Sequence, residues 1–511
     1  MTTRGDTYST TLMKLSHDIK KYFSPAETQR LVTDLGHCLE RYYRECQEQK
    51  GRTVPALTPD AYIRMAEDAL KSGKEADFAA LASMALANGH HLHDPRYMGH
   101  QVPPAVPAAA LFDVLGRAAN QGAAVFEMAP FGTSAERAVI NELGKLIGWE
   151  PGKFAGIGTH GGTLANVTAL LAARNIRYAD SWKSGMGAAG GLKPAIMTSA
   201  DSHYCIARAC GILGIGTSQL VKVPVDAKRR MDLKKAGEIL ASARDRGLDI
   251  FAIVGSACTT PTGSFDDLAG IAALARKYKL WFHVDGAHGA SFLFSERHKH
   301  LLTGIDQADS VAWDAHKMLF VPALSTYLFY RDARHSWQAF AQDAPYLFDP
   351  DDPAGMAEFD GGLRTFECTK GALSLGLWGI WSLYGKDFIA SLIDRAMDNT
   401  RELRELIARS PDFEAAHDPQ CNILCFRYLP GKGSGDVEAA ESLSQLNQWI
   451  RNRLVSEGEW YITGTRLDGH YWLRVTIINP LTGTTQFKGL LEAIRKLASV
   501  YSGNNFEPDI K

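Results

Sequence analysis

In "SVAWDAHKML" (310–319) an apolar, strand-like run ends at Trp313 and is followed at once by Asp314, Ala315, His316 and Lys317. A lysine at the mouth of a sheet is either solvated or chemically employed: a desolvated amine has a lowered pKa and condenses with an aldehyde. Asp285, in "FHVDGAHG", directly follows another apolar run, one expected to be buried on both faces, where an unpaired carboxylate is costly. It needs a cationic or N–H partner, unless Asp285-Gly286 forms a hairpin turn. Against the turn, "AHGASFLF" does not alternate as a returning strand should. A third stretch, "GIGTHGGTLAN" (156–166), sets glycines just before a helix that starts near Thr163, and free N–H groups at a helix N-terminus suit a phosphate. Each feature has a plainer reading, as a solvated lysine, a turn and an ordinary glycine-rich loop.

These residues need elements to position them. "PAIMTSA" (194–200), "SQLVKVPV" (218–225), "DIFAIVGSA" (249–257), "LWFHVDGA" (280–287) and "DSVAWDAH" (309–316) read as strands, separated by helical patterns at 163–179, 204–213, 232–246 and 266–278. Such alternation implies crossover connections and a mostly parallel sheet, in which ligands sit beyond the carboxyl ends of the strands. "SHY", "SACTTPTGS", "VDGAHG" and "DAHK" fall at those ends. Before this region, apolar residues recur at helical spacing over 11–48 and again over 58–89, leaving an amphipathic stripe that needs a partner. Residues 341–362, rich in Pro, Asp and Gly, read as a mobile surface loop. From about Lys386 helices resume. Then "CNILCFRYL" (421–429), "WYITGTRL" and "WLRVTIIN" read as an antiparallel sheet with a last helix, a small α/β piece. The expected division is 1–105, a helical segment; 106–385, a large domain; and 386–511, a small domain.

The chain of 511 residues, 45% hydrophobic and 22% charged with a formal charge of −2, offers no electrostatic case for nucleic acid or an anionic membrane surface. Eight cysteines without CxxC pairs argue against a disulfide framework and against a structural zinc site, and no metal is expected. The N-terminal stretch has no apolar h-region, and no apolar run approaches membrane-spanning length, so a reduced, cytoplasmic location is expected. The three chemical features together point to one cofactor. A phosphate cradle, a buried acid and a lysine amine, all at strand ends of one sheet, are what pyridoxal 5'-phosphate requires for its phosphate, its ring nitrogen and its aldehyde.

Motifs in order along the chain carry a resemblance: "DPRYMGHQ", "HGGTLANVTALLAAR", "DSHYCIARACGILGIG", "TTPTGSFDDL", "HVDGAHGASFLF", "WDAHKML", "NILCFRY" and "YITGTRLDG…LRVTIINP". From about His93 to Thr482 the sequence resembles the group II pyridoxal phosphate-dependent decarboxylases, whose members act on glutamate, cysteine sulfinate, diaminobutyrate or aromatic amino acids. The resemblance implies fold type I, an α/β architecture whose large domain holds a mostly parallel seven-stranded sheet. It implies Lys317 as the lysine in Schiff-base linkage to the cofactor and Asp285 as the acid that keeps the pyridine nitrogen protonated. It further implies Ala287 against one ring face and His203 on the other, Thr260 at the phenolic oxygen, and Gly162, Thr163, His316 and Ser325 or Thr326 around the phosphate. His203 also places an imidazole near the carboxylate and Cα of a substrate. A homodimer with active sites at the subunit interface is implied, with the N-terminal helices packing on the partner.

Two departures from the family pattern matter. Phe359 stands near where a tyrosine is expected to protonate the substrate carbon, with Tyr346 at the start of the same loop. Loss of that donor would favour oxidative decarboxylation to an aldehyde. Asp314 stands where asparagine is common, and an extra carboxylate near a phosphate is unfavourable unless paired. For the substrate, His100 in "RYMGHQ" falls close to the family's substrate-gripping position. Asp343, Asp349, Asp351, Asp352, Glu358 and Asp360 form an acidic loop that favours a cationic side chain, and although Arg364 and Arg474 could bind an acidic group, the expected substrate is a diamino acid such as L-2,4-diaminobutyrate.

Overall fold

The computed structural model describes residues 19–54, 57–72, 77–186, 191–340, 357–430 and 437–501. The chain clusters into two compact units, one of Met1–Tyr97, Trp449–Tyr461 and Leu490–Lys511, the other of Met98–Gln448 and Ile462–Gly489.

The second unit is built on a seven-stranded sheet of β1 (Ala155–Thr159), β2 (Lys193–Ser199), β3 (Leu220–Val223), β4 (Leu248–Ser256), β5 (Trp281–Asp285), β6 (Ser310–Asp314) and β7 (Thr326–Tyr330). Their order is β1-β7-β6-β5-β4-β2-β3; β7 runs antiparallel to both neighbours and the other pairs are parallel. A parallel sheet is covered on both faces, so its strands read as near-continuous apolar runs. Alternate residues accordingly enter different cores: Ile253 and Trp313 pack on one side, Ala252, Val254 and Ala312 on the other. Register sets the site. Ser256 lies opposite Asp285, Asp285 opposite Ala312, and Asp314 opposite Thr326, which brings the carboxyl ends of β4, β5 and β6 level.

The five strands read from sequence are present, and two were missed. β1, "AGIGT", hides behind its glycines: a Cβ on Gly158 would come 2.5 Å from Glu136 Oε2 and 3.2 Å from Lys370 Nζ, so the buried ion pair excludes the strand-forming side chains that would have announced it. β7, "TYLFY", carries an ordinary strand composition and sits between β1 and β6.

The same unit holds a four-stranded antiparallel sheet, order β10-β11-β9-β8, of β8 (Phe413–Ala415), β9 (Ile423–Tyr428), β10 (Thr463–Leu467) and β11 (His470–Thr476). The expected boundary near Lys386 falls inside the helix Leu375–Ala408, just after Gly385, whose φ of 77° interrupts the helical backbone. Arg474 on β11 donates to the carbonyls of Thr260 and Pro261, and Cys425 on β9 approaches the Pro261 oxygen at 3.3 Å, tying the smaller sheet to the turn after β4.

In the first unit the helices Pro25–Gln47 and Phe78–Ala87 are capped by Ser24 and Asp77, which accept from the N–H groups of Glu27 and Ala80. Tyr97 and Tyr461 stack with centroids 5.4 Å apart. Tyr22, Phe23 and Leu70 remain exposed. No helix among the described residues is long and apolar enough to cross a membrane.

Candidate active site

Lys317 follows β6 by three residues, and its amine turns back onto the strand end, 2.9 Å from Asp314 Oδ2. Asp314 is almost fully enclosed. Its other oxygen accepts from Thr326 Oγ1 at 2.5 Å, and His316 Nε2 lies 3.7 Å away. Burial opposes the charge on both partners, yet each outweighs it for the other: the Lys317 and His316 charges hold Asp314 below the usual carboxylate range, and Asp314, with Asp285 behind it, holds the Lys317 amine above its usual range. The carboxylate whose fit beside a phosphate was in question is thus paired, and Asp314 belongs to the site as the partner of its lysine.

Asp285 ends β5. Its Oδ1 accepts from the N–H of Ala287, and the Ala287 carbonyl accepts from the N–H of Asp314, so a short bridge fixes β5 and β6 side by side. The turn therefore continues into a parallel pairing rather than a hairpin. Behind Asp285, the buried His283 lies 2.6 Å from Asn166 Oδ1 and 2.8 Å from Ser310 Oγ, and burial pushes its pKa down to about 4. Cys205 Sγ lies 3.9 Å from Asp285 Oδ2. Its neighbour His203 accepts the Cys205 N–H on Nδ1, which leaves the ring proton on Nε2. Burial, aided by the Lys317 and Arg208 charges, lowers the His203 pKa against the pull of Asp285 and Asp314.

The helix Gly162–Arg177 begins beside this cluster with no side-chain cap. A Cβ on Gly162 would stand 3.0 and 3.1 Å from the two Asp314 oxygens and 3.4 Å from Ala287, so only glycine lets the helix start this close. His316 Nδ1 lies 2.8 Å from the Ser325 carbonyl, and Ser325 Oγ donates to Leu373 O at 3.0 Å. Lys317, Asp314, His316, Asp285, Ala287 and Gly162 are thus joined by direct approaches, with His203 in their electrostatic field. An uncapped helix start, a buried carboxylate and a buried amine form a donor set that fits a phosphorylated aldehyde with a basic ring nitrogen.

The sequence matches the model of the pyridoxal-dependent decarboxylase conserved domain over residues 83–429. The chain belongs to that family. It is 31% identical to mouse (Mus musculus) cysteine sulfinic acid decarboxylase over 411 residues, covering 79% of this chain and 82% of the relative. It is 30% identical over 408 residues to an L-aspartate decarboxylase of Metarhizium robertsii, covering 79% and 80%. The crystal structure of mouse CSAD superposes with a TM-score of 0.85 at 26% identity, covering 93% of this chain and 99% of that one. The protein is a pyridoxal phosphate-dependent amino acid decarboxylase of α/β fold with a mostly parallel seven-stranded sheet, and its substrate is a small-molecule amino acid.

Arg474, His100 and Phe359, also singled out in the sequence of this decarboxylase, are placed by other elements. Arg474 is buried and spends its donors on the carbonyls of Thr260, Pro261 and Gly99 and on Thr463 Oγ1, so it clamps the Thr260 turn. His100, next to Gly99, is exposed. Phe359 packs on Phe126, centroids 5.5 Å apart, with Arg137 5.0 Å over its ring, and lines a cavity with Glu136, Arg364 and Lys370. Of the acidic loop, Glu358 stands 3.6 Å from Arg137 and Asp360 accepts from the Phe126 N–H; Asp343, Tyr346, Asp349, Asp351 and Asp352 lie outside the described residues.

Spacing along the chain gave no sign of a structural zinc site; in the fold, Cys258, His288 and Cys421 bring their ligand atoms within 4.8 Å of one another. They are 30 or more residues apart in pairs that only the fold unites, and local CxxC counting is blind to such groups.

Proposed function

We propose that the decarboxylase removes the α-carboxyl group from an L-amino acid with an acidic side chain and releases the corresponding amine. The observation that carries the reading is the Lys317 amine, enclosed beside Asp314 and Asp285 at the strand ends, next to an uncapped helix. When bound, the cofactor supplies an aldehyde that captures amines and a protonated ring that accepts the electron pair left by carbon dioxide.

The chain's residues have distinct tasks in this reading. Lys317 would hold the cofactor through its aldehyde, with Asp314 beside the amine to set its protonation. Asp285 keeps the ring nitrogen protonated. Ala287 and His203 would cover the two faces of the cofactor ring, and Thr260 would meet its phenolic oxygen. The N–H groups of Gly162 and Thr163, with His316 and Ser325, hold the phosphate. His203 presents Nε2–H, which can orient a carboxylate or deliver a proton at Cα. Support for an acidic substrate comes from the cysteine sulfinate and aspartate named for the relatives and from one cation, Arg208 over Tyr204 beside His203. His100 is the residue proposed to meet the substrate.

The reading includes a homodimer. Leu111, Val114 and Leu115 are exposed on the helix Pro107–Ala118, as are Met128 and Phe131, an apolar set that a second copy would cover. It also includes a cytoplasmic location, which the eight free thiols support.

Mass spectrometry of products from cofactor-loaded protein, incubated in air with acidic, basic and aromatic L-amino acids, tests the proposal. The expected product is an amine lighter by carbon dioxide from aspartate or cysteine sulfinate, without peroxide. Turnover of 2,4-diaminobutyrate alone would reverse the side-chain assignment, and an aldehyde with ammonia and peroxide would replace simple decarboxylation by the oxidative reaction.

A further inference from the structure

We propose that Cys258, His288 and Cys421 form a binding site for one soft or borderline divalent cation of the zinc and cadmium class. The three residues come from the turn after β4, the turn after β5 and the segment entering β9. The sulfurs are 3.7 Å apart, and the three ligand atoms lie within 4.8 Å of one another. Two thiolates held about 2.3 Å from one tetrahedral zinc are separated by about 3.8 Å. The sulfurs already stand at the spacing such an ion imposes, and the imidazole needs a shift of about 1 Å to join them.

His288 supplies an independent observation. Its side chain is 2% exposed, its Nε2 lies 2.7 Å from Asn422 Oδ1, and its Nδ1 is buried with no hydrogen-bond partner among the described residues. A ring that donates Nε2–H to a carbonyl oxygen carries its lone pair on Nδ1, and this is how outer carbonyls orient a ligating histidine. Without an ion that lone pair is a buried acceptor left unsatisfied, a rare and costly state. Burial also keeps the imidazole neutral, as a ligand must be.

Cys258 is only partly buried, which gives the ion a way in, while Cys421 and His288 are enclosed. Three protein ligands leave a fourth position for water. Binding needs no oxidant: each thiol releases a proton to solvent, two sulfur–metal bonds form, and two thiolates balance the two positive charges. Affinity therefore rises with pH. An occupied site would pin the turn that carries Thr260 to the start of β9.

The test is a titration of the reduced holoenzyme with cadmium chloride, read by the thiolate-to-cadmium charge-transfer absorbance and by metal content after desalting. The expected result is one cadmium per chain, a raised thermal midpoint, and tighter binding at higher pH. Cys421→Ser and Cys258→Ser each abolish the band. Asn422→Ala keeps all three ligands and weakens binding by about 10-fold or more. Cys368→Ser, which removes the exposed thiol, leaves it unchanged. Retained cofactor absorbance checks the fold of each variant, and Cys258→Ser decides alone if Cys421→Ser does not fold. Cadmium binding that survives in the folded cysteine variants overturns the proposal. So does a wild-type protein that takes up no cadmium, or one that has lost two hydrogens to a Cys258–Cys421 disulfide.

Discussion

Two lysines of the larger unit are paired with carboxylates away from solvent, and only one of them is equipped for chemistry. Lys370 Nζ is 2.8 and 3.1 Å from the two Glu136 oxygens and donates at 2.7 Å to Gly158 O, while the Gly158 N–H returns to Glu136. All three ammonium hydrogens have acceptors, and its side chain is 2% exposed. Lys317 has one carboxylate at 2.9 Å, and its side chain is 23% exposed. A closed pair fixes β1 against the helix Pro130–Ile147; an open pair keeps an amine available. Burial is common to both, so the number of donors left unspent is what distinguishes a reactive lysine from an architectural one.

The largest effect that can break this comparison is on turnover. Lys317→Ala should lower kcat on the order of 10^4-fold or more and abolish borohydride-fixable yellow absorbance, with a smaller loss of stability than Lys370→Ala because Asp314 keeps the Thr326 hydroxyl and His316 beside it. Lys370→Ala should do the reverse. It leaves Glu136 charged and unpaired inside the protein, a loss of about 3–5 kcal/mol of stability by denaturant unfolding, with the fixable absorbance retained in the fraction that folds. A Lys370→Ala protein as stable as wild type would show that its closed network is not what holds β1.

A subtler effect concerns the open pair itself. Burial lowers and Asp314 raises the Lys317 pKa, and the net direction is up. Uptake of cofactor by apoenzyme needs the neutral amine, so the rate should climb as pH rises through that elevated pKa. Asp314→Asn keeps an acceptor for Thr326 but removes the charge, leaving burial the dominant influence. The rate profile should then move to lower pH, with faster uptake at the foot of the curve. An unmoved profile would mean that Asp314 does not control the amine.

The open pair was half legible in the sequence. Lys317 and Asp285 could be picked out because strand ends of a parallel sheet are where ligands sit, and an apolar run fixes where a strand ends. The partnership of Lys317 with Asp314 was not legible, since it depends on the side chain folding back three residues and on Thr326 of the antiparallel β7. Gly162 could be read as a helix start, but not the 3.0 Å approach of Asp314 that requires glycine there. The closed pair was invisible: Glu136, Gly158 and Lys370 meet from three distant segments, and the strand between them was masked by its own glycines. Arg474 is the converse case, a cation that could bind an acidic group whose donors the fold directs to backbone carbonyls and Thr463.

The smallest expected effect tests whether chemistry extends to the edge of the closed pair. Phe359 was expected where a tyrosine would deliver a proton, yet its ring lies on Phe126 and under Arg137, in a cavity whose lining includes Glu136, Arg364 and Lys370 but none of Lys317, His203 or Asp285. Arg364 is enclosed there, and burial pushes its pKa down to about 10. Phe359→Tyr adds a hydroxyl to this architectural region and no proton donor beside Lys317. Turnover and the amine-to-aldehyde ratio should both stay within about twofold of wild type, because a surface-edge aromatic swap of near-equal volume disturbs little. A change in turnover well beyond twofold would instead mean that Phe359 reaches a reacting carbon, and the division between an open, reactive pair and a closed, structural one would fail at that residue.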